Sequence, residues 1–230
     1  MAPGRLSRPG WKILGGAALA GLVWFGLPRA LRHVDFFLVR KVEVRGQRNL
    51  RAEDLVRELP LRPGLNLFDD LGAVQRAVDT LPGLRDARVS RKLPGTLVVT
   101  VHEAPPVALV LHQGRLQLVS EGGRVLPFDP TVGAPDLPLI REPDSLVTRL
   151  LARVRDADAT LFAQVESGWR EGDDVVLAAG GRRYLFRPDA PAEIIRAVTA
   201  VVQDLAKKGR PWAELDARYA GQIVVRRVAA

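Results

Sequence analysis

The sequence predicts an α+β fold preceded by a single amino-terminal transmembrane helix. A stretch of 16 residues without charge lies between Lys12 and Arg29. Residues 38–105 carry strand and helix patterns in the order β-α-α-β-β, and residues 106–230 carry several hairpin patterns and two amphipathic helices. Of the 230 residues, 47% are hydrophobic and 26% are charged, which is enough apolar material to form a core.

The uncharged stretch, residues 13–28 (ILGGAALAGLVWFGLP), predicts the membrane segment. As a helix it would be about 24 Å long, short of the ~30 Å hydrocarbon core, so we extend the transmembrane helix to residues 13–33. Residues 1–12 then form a short cytoplasmic tail, because a short tail before a large folded part is typical of a signal anchor. A cleaved signal peptide is an alternative, since Ala18–Leu19–Ala20 has the small-x-small form, but that cut would fall inside the apolar stretch.

The basic charge of the chain favours a lipid surface over nucleic acid. Residues 1–40 hold six basic residues and one acid, so residues 41–230 carry only +3 of the net +8. A nucleic-acid-binding domain concentrates its charge on the folded part, whereas here the excess flanks the apolar stretch, where it can meet anionic headgroups. The sequence contains no cysteine, which excludes disulfides and thiolate chemistry.

Residues 38–105 are predicted to form one compact unit. Val42 and Val44 alternate with charged residues as in a half-buried strand. Asn49 is a candidate cap for a short helix, and the apolar spacing over 71–81 predicts a second one. Two alternating strands on either side of Pro94–Gly95 complete the unit.

Residues 106–230 are predicted to form a mainly antiparallel β domain with packed helices. Hairpins are expected around Gln113–Gly114 and Gly180–Gly181, and 127–143 reads as an extended crossing. One helix is expected after a cap at Asp144 or Ser145, and a longer one after a cap at Asp189. The last two strands are predicted at 215–219 and 223–228.

The sequence lacks the catalytic patterns that can be tested from residue spacing. His33, His102 and His112 do not form a metal-binding spacing, and no phosphate-binding glycine loop or nucleophile elbow occurs. The pairs Asp69–Asp70 and Asp173–Asp174 could suggest a carboxylate dyad, but their positions favour a helix start and a turn. We therefore predict a protein that is not an enzyme and has no catalytic, cofactor-binding or metal-binding residues.

The carboxyl-terminal strand is the best candidate for a binding surface. A terminal strand with one neighbour exposes unpaired N–H and C=O groups, and it can accept a strand from a partner. Residues 223–228 are mostly apolar and contain no proline, and a charge or proline at Val225 is predicted to abolish such binding. The alternative, that the chain flanks this strand on both sides, remains open at this point.

Several stretches resemble the FtsQ/DivIB family of bacterial cell division proteins. They are residues 81–97 (LPGLRDARVSRKLPGTL), 42–46 (VEVRG), 64–68 (GLNLF) and 215–219 (LDARY). The resemblance implies a membrane-proximal POTRA domain over 38–105 and an FtsQ-type β domain over 106–230. It also implies a single-pass protein of the cell inner membrane, located at the division septum with its folded domains outside the cytoplasm.

The same resemblance implies a scaffold of the divisome that binds FtsB and FtsL directly and links to the septal peptidoglycan synthase pair FtsW and FtsI. In that family a strand of FtsB is added to the last strands of the β domain. The matching Asp-x-Arg-Tyr motif carries this surface over to Tyr219, Gly221, Ile223, Val224, Val225, Arg226 and Arg227. Alternative hypotheses are a POTRA-containing component of polypeptide transport or outer-membrane assembly, and a membrane-tethered cell-wall hydrolase.

Overall fold

The structure is a computed structural model that describes residues 30–131, 136–219 and 221–227. The predicted tail 1–12 and residues 13–29 of the predicted transmembrane helix lie outside these ranges. Within them, no helix is both long and apolar enough to cross a bilayer. The chain divides into two compact units, the first ending at His102 and the second containing Glu103 onwards together with Arg48–Leu50 and Pro82–Arg85.

The first unit is built on a three-stranded sheet and two helices. Its elements are β1 (Lys41–Arg45), α1 (Ala52–Arg57), α2 (Gly72–Thr80), β2 (Leu84–Lys92) and β3 (Thr96–Glu103), in the predicted order β-α-α-β-β. The sheet order is β1-β3-β2, and β1 runs parallel to β3 with Val42 opposite Leu97. A short 3-10 helix, Asp35–Phe37, precedes β1.

The predicted cap at Asn49 is wrong. Arg51 occupies the position before α1 and makes no side-chain cap bond. Asn49 instead donates its side-chain Nδ2 to Glu103 Oε2 at 2.8 Å, and its backbone N–H bonds the same carboxylate. The asparagine therefore fixes the loop after β1 and does not begin the helix.

The second unit is built on an eight-stranded sheet of order β11-β10-β9-β8-β7-β6-β4-β5. Its strands are β4 (Pro106–His112), β5 (Arg115–Ser120), β6 (Leu139–Ile140), β7 (Ser167–Glu171), β8 (Asp174–Ala179), β9 (Arg182–Phe186), β10 (Glu214–Asp216) and β11 (Val224–Arg226). Its helices are α3 (Ser145–Ala157), α4 (Ala159–Gln164) and α5 (Ala192–Lys207). Both predicted hairpins are confirmed, by antiparallel β4–β5 and β8–β9 pairing.

Alternate residues of the sheet and the apolar stripes of α3 and α5 form one core. Val175, Leu177, Phe186 and Leu215 contribute from the strands, and Leu150, Val154, Ile195 and Val198 contribute from the helices. Asp144 caps α3 as predicted, accepting from Leu146 N at 2.7 Å. The predicted cap at Asp189 is wrong, because Pro191 holds the position before α5, and Asp189 accepts from Arg187 Nε at 3.3 Å.

Candidate partner-binding edge

The last strand, β11, lies at one end of the eight-stranded sheet. It pairs antiparallel with β10, with Leu215 opposite Val225. On its other side no strand is paired with it anywhere in the described part of the chain. The outer edge of Val224–Arg226 therefore presents backbone N–H and C=O groups to which a further strand can be added.

The side chains of β11 divide between the two faces of the sheet. Ile223 and Val225 are half-buried and pack against the core of the second unit. Val224 is 41% exposed and lies opposite Asp216 on the other face, beside the exposed Arg226. A partner strand added to this edge would thus adjoin apolar core residues on one face of the sheet and charged residues on the other face.

A row of alternating charges crosses this second face. Glu214 is buried at the start of β10, directly opposite Arg226 of β11 and Arg183 of β9. Its Oε1 lies 3.0 Å from Arg226 Nη1, and its Oε2 lies 3.4 Å from Arg183 Nη1. Arg227, the next residue along, is exposed and has no ion pair in the described part of the chain. The edge is therefore basic where it meets solvent.

The residues between β10 and β11 are held by an ion pair whose carboxylate is buried. Asp216 is 1% exposed, and Arg218 donates Nε to its Oδ1 at 2.8 Å and Nη2 to its Oδ2 at 2.6 Å. A third bond runs from Arg218 Nη1 to Asp174 Oδ2 of β8 at 2.8 Å. The bonds from Arg218 lower the pKa of Asp216 against the opposing effect of burial, and the two carboxylates raise the pKa of Arg218.

Tyr219 and Gly221 line a groove next to the terminal strand. Its volume is about 400 Å³, and its other walls include Pro191 and Ile194 of the α5 start together with Ala217. Tyr219 is half-exposed, and Gly221 has a φ of +72°, which favours glycine at this turn. Of the seven residues predicted from the motif, the edge strand itself contains Val224, Val225 and Arg226, and the others lie just before or after it. Their role in binding a partner stays a prediction.

Sequence reasoning missed Glu214 and Arg183 and assigned Asp174 to a turn, although all three make ion pairs that hold this edge. Asp216-x-Arg218 carried a local signal, because a carboxylate and a guanidinium two residues apart can pair. No local pattern links Asp174 to this edge, because it lies 44 residues from Arg218 in the sequence.

Several of the acidic residues and histidines considered as chemical groups have structural contacts. Asp70 accepts from Gly72 N at the start of α2, and Asp69 accepts from Asn66 N. His102 Nδ1 lies 2.8 Å from Asp86 Oδ1 on the exposed side of the first sheet. Across the described residues, no group of three or more His, Cys, Asp or Glu side chains could hold a metal ion.

Comparison with known proteins matches the first unit to a domain family and finds similar proteins for the chain. The family model of the FtsQ-type POTRA domain matches residues 37–104. The cell division protein FtsQ of Zymomonas mobilis is 32% identical over 105 residues, covering 45% of this chain and 33% of that protein. FtsQ of Geotalea daltonii is 25% identical over 240 residues, covering 94% of this chain and 86% of that protein.

Among solved structures, the major extracytoplasmic domain of the division protein DivIB from Geobacillus stearothermophilus aligns with 17% identity and a TM-score of 0.33. The alignment covers 46% of this chain and 96% of the DivIB chain. The family model places a POTRA domain at residues 37–104, and the sequence relatives are bacterial cell division proteins. Residues 37–104 thus match the FtsQ-type POTRA domain, and the chain is similar to FtsQ proteins of the FtsQ/DivIB family.

Proposed function

We propose that the protein is a non-enzymatic scaffold of the divisome that binds FtsB and FtsL directly and links to FtsW and FtsI. A transmembrane helix over 13–33 would hold it in the inner membrane at the septum, with residues 1–12 in the cytoplasm and both folded units outside. The observation that carries the proposal is the outer edge of β11, which has no paired strand among the described residues.

Strand addition is the mode of binding that this edge supports. A segment of FtsB paired with Val224–Arg226 would extend the eight-stranded sheet by one strand. The backbone bonds would supply affinity, and the alternating side chains would supply specificity. The groove next to Tyr219 could then take a side chain from the same partner segment.

The contacts of the carboxylates support a role without catalysis. Asp216 and Asp174 both bond Arg218, and Asp70 bonds the α2 backbone. General acid–base chemistry needs a carboxyl group that is poised to exchange a proton with a substrate. These carboxylates are instead engaged in contacts that support loops and strands.

Proline substitutions along β11 test the proposal. Consecutive N–H groups of a strand point to opposite edges, so one of Val224→Pro and Val225→Pro removes a bond to β10, while the other removes an outward N–H. A charge at Val225 is a poorer test than the sequence suggested, because this side chain packs against the core. We expect the proline variant that keeps the β10 ladder to remain folded and to lose its affinity for FtsB.

The matched control lies on the opposite edge strand of the same sheet. Leu116→Pro and Gln117→Pro form an equivalent pair on β5, where Leu116 is exposed. Calorimetric titration of each full-length variant with FtsB gives the affinity, and circular dichroism shows which variants fold. Unchanged affinity in the folded β11 variant would remove the proposed binding edge.

A further inference from the structure

The exposed large hydrophobic side chains of the first unit are Val34, Phe36 and Leu93 among its described residues. They are 41%, 57% and 59% exposed. The fully buried apolar residues of the unit, such as Leu67, Leu97 and Val101, lie on the elements of the sheet and its packed loop. We call Val34, Phe36 and Leu93 the interfacial patch.

The three residues of the interfacial patch lie at the same end of the unit. Arg40 N, which immediately precedes β1, donates to Gly95 O at 2.9 Å, and this bond places the β2–β3 turn beside the chain that enters the sheet. A Cβ on Gly95 would lie 2.8 Å from Leu38 O, so the β2–β3 turn is in direct contact with the segment that precedes β1. Leu93 therefore belongs to the same surface as the 3-10 helix that contains Phe36.

Asn66 holds the entering segment against the unit. This side chain is buried, and its Nδ2 donates to Val34 O at 3.1 Å and to Leu31 O at 3.3 Å. Its Oδ1 accepts from Phe68 N at 2.9 Å. A buried amide with both ends bonded fixes backbone position, so residues 31–34 are tied to the loop 66–68 and do not form a loose linker.

Aromatic packing then directs Phe36 away from the core. Phe37 packs edge-to-face against Phe68 at a centroid distance of 5.0 Å, and Leu67 N donates to Phe37 O at 2.9 Å. Phe36, the residue before, packs one edge against Phe37 at a centroid distance of 5.2 Å and is otherwise exposed in the middle of the 3-10 helix. Grouped with Val34 and Leu93, this exposed ring adds to an apolar patch, and such patches are typical of contact surfaces.

We propose that the interfacial patch lies on the surface of the lipid bilayer, with Val34, Phe36 and Leu93 at the boundary between headgroups and acyl chains. This inference rests on the proposed transmembrane helix. The uncharged stretch ends at Pro28, and six residues span at most about 20 Å, so Val34 cannot be far from the bilayer. Arg32, Arg40 and Lys41 lie next to the patch in the chain, and they suit anionic headgroups.

Site-specific fluorescence tests the patch, since the natural chain contains no cysteine. Phe36→Cys and Leu93→Cys, each labelled with the environment-sensitive dye NBD, are reconstituted as full-length protein into phosphatidylcholine–phosphatidylglycerol vesicles with or without brominated acyl chains. We expect a blue shift and a loss of NBD emission with brominated lipid at both positions. Arg45→Cys is the control, because it is exposed and lies at the far end of β1, about 13 Å along the strand from Lys41.

Flotation of the vesicles separates this inference from the proposed anchor. If the protein floats with the vesicles but positions 36 and 93 keep their emission, the interfacial patch is wrong and the anchor stands. If the protein does not float, both are wrong. Equal loss of emission at position 45 also overturns the patch, because it would mean that the unit adsorbs to lipid without a preferred end.

Discussion

Arg218 contacts Asp216 through two hydrogen bonds, Nε to Oδ1 at 2.8 Å and Nη2 to Oδ2 at 2.6 Å, directly after β10. The same guanidinium reaches Asp174 of β8, so that one side chain crosses β9 and joins the two strands on either side of it. Because β11 pairs only with β10 among the described strands, the position of the proposed binding edge depends on this ion pair. The Asp-x-Arg-Tyr motif thus supports the edge as well as bordering it.

Removal of the guanidinium should destabilise the second unit. Arg218→Ala leaves the charge of Asp216 buried without its partner, and we expect a loss of about 3 kcal/mol in the free energy of unfolding. Arg218→Lys is the control, since it keeps the charge but lacks the planar fork, and it should lose less. Urea unfolding followed by the fluorescence of Trp169 and Trp212 measures the second unit, and equal stability of the alanine variant would contradict this role.

The ion pair also predicts how the second unit responds to acid. Hydrogen bonds from Arg218 lower the pKa of Asp216 below its ordinary value of 3.8 in spite of burial. A carboxyl group whose pKa is lower in the folded state than in the unfolded state stabilises the folded state at pH values above the unfolded-state pKa. This stabilisation is lost as the pH falls through the folded-state pKa. Stability should therefore fall below about pH 4.

Asp216→Asn isolates this titration from that of the other carboxylates. The asparagine variant should be less stable than the natural protein at neutral pH, and the difference between them should shrink as the pH falls below about 4. Urea midpoints measured at a series of pH values give the comparison. A difference that does not change with pH would mean that Asp216 does not titrate in this range.

Glu103 should be essential for the order of the loop after β1. Its carboxylate accepts from the backbone N–H groups of Arg48 at 2.7 Å, Asn49 at 2.9 Å and Leu50 at 2.9 Å. Burial raises the pKa of Glu103, but these bonds outweigh it and the pKa is lowered. We expect Glu103→Ala to cost about 1–3 kcal/mol, because three donors lose one acceptor, and Glu103→Gln to cost less.

Hydrogen–deuterium exchange measures this effect where it arises. In the alanine variant the amides of residues 48–50 should exchange faster, while those of β8 and β9 should be unchanged. A uniform increase across the second unit would instead indicate general destabilisation, which would contradict a local role.

Elements with a local signal could be predicted from the sequence, and contacts between distant residues could not. The alternation around Val42 and the apolar spacing over 71–81 predicted β1 and α2, because each pattern repeats along a continuous segment. Strand β6 was missed, since its two residues, Leu139–Ile140, are too short to show an alternation. Helix α4 is also short, and its cap at Asp158 follows α3 directly.

The same limit explains the two incorrect caps and the missing half of the candidate site. Asn49 has the right chemistry for a cap, but Glu103, 54 residues away, takes its hydrogen bonds. The position of β11 at the end of the sheet is likewise set by the strand order and not by its own composition. The terminal strand could be predicted, whereas its single pairing could not.

Two glycines of the first unit provide a last, paired prediction. Gly46 and Gly64 have φ values of +87° and +81°, so an alanine at either position is strained by about 1–2 kcal/mol. A Cβ on Gly46 would lie 2.3 Å from Val101 O, whereas a Cβ on Gly64 meets nothing within 4 Å. The clash at Gly46 involves the backbone of β3 and cannot be relieved by a side-chain rotation, so Gly46→Ala should cost about 1–3 kcal/mol more than Gly64→Ala. Hydrogen–deuterium exchange of the amides in β1 and β3 measures the effect of both variants. Equal protection of these amides in the two variants would show that β1 can move away from β3 without a loss of stability.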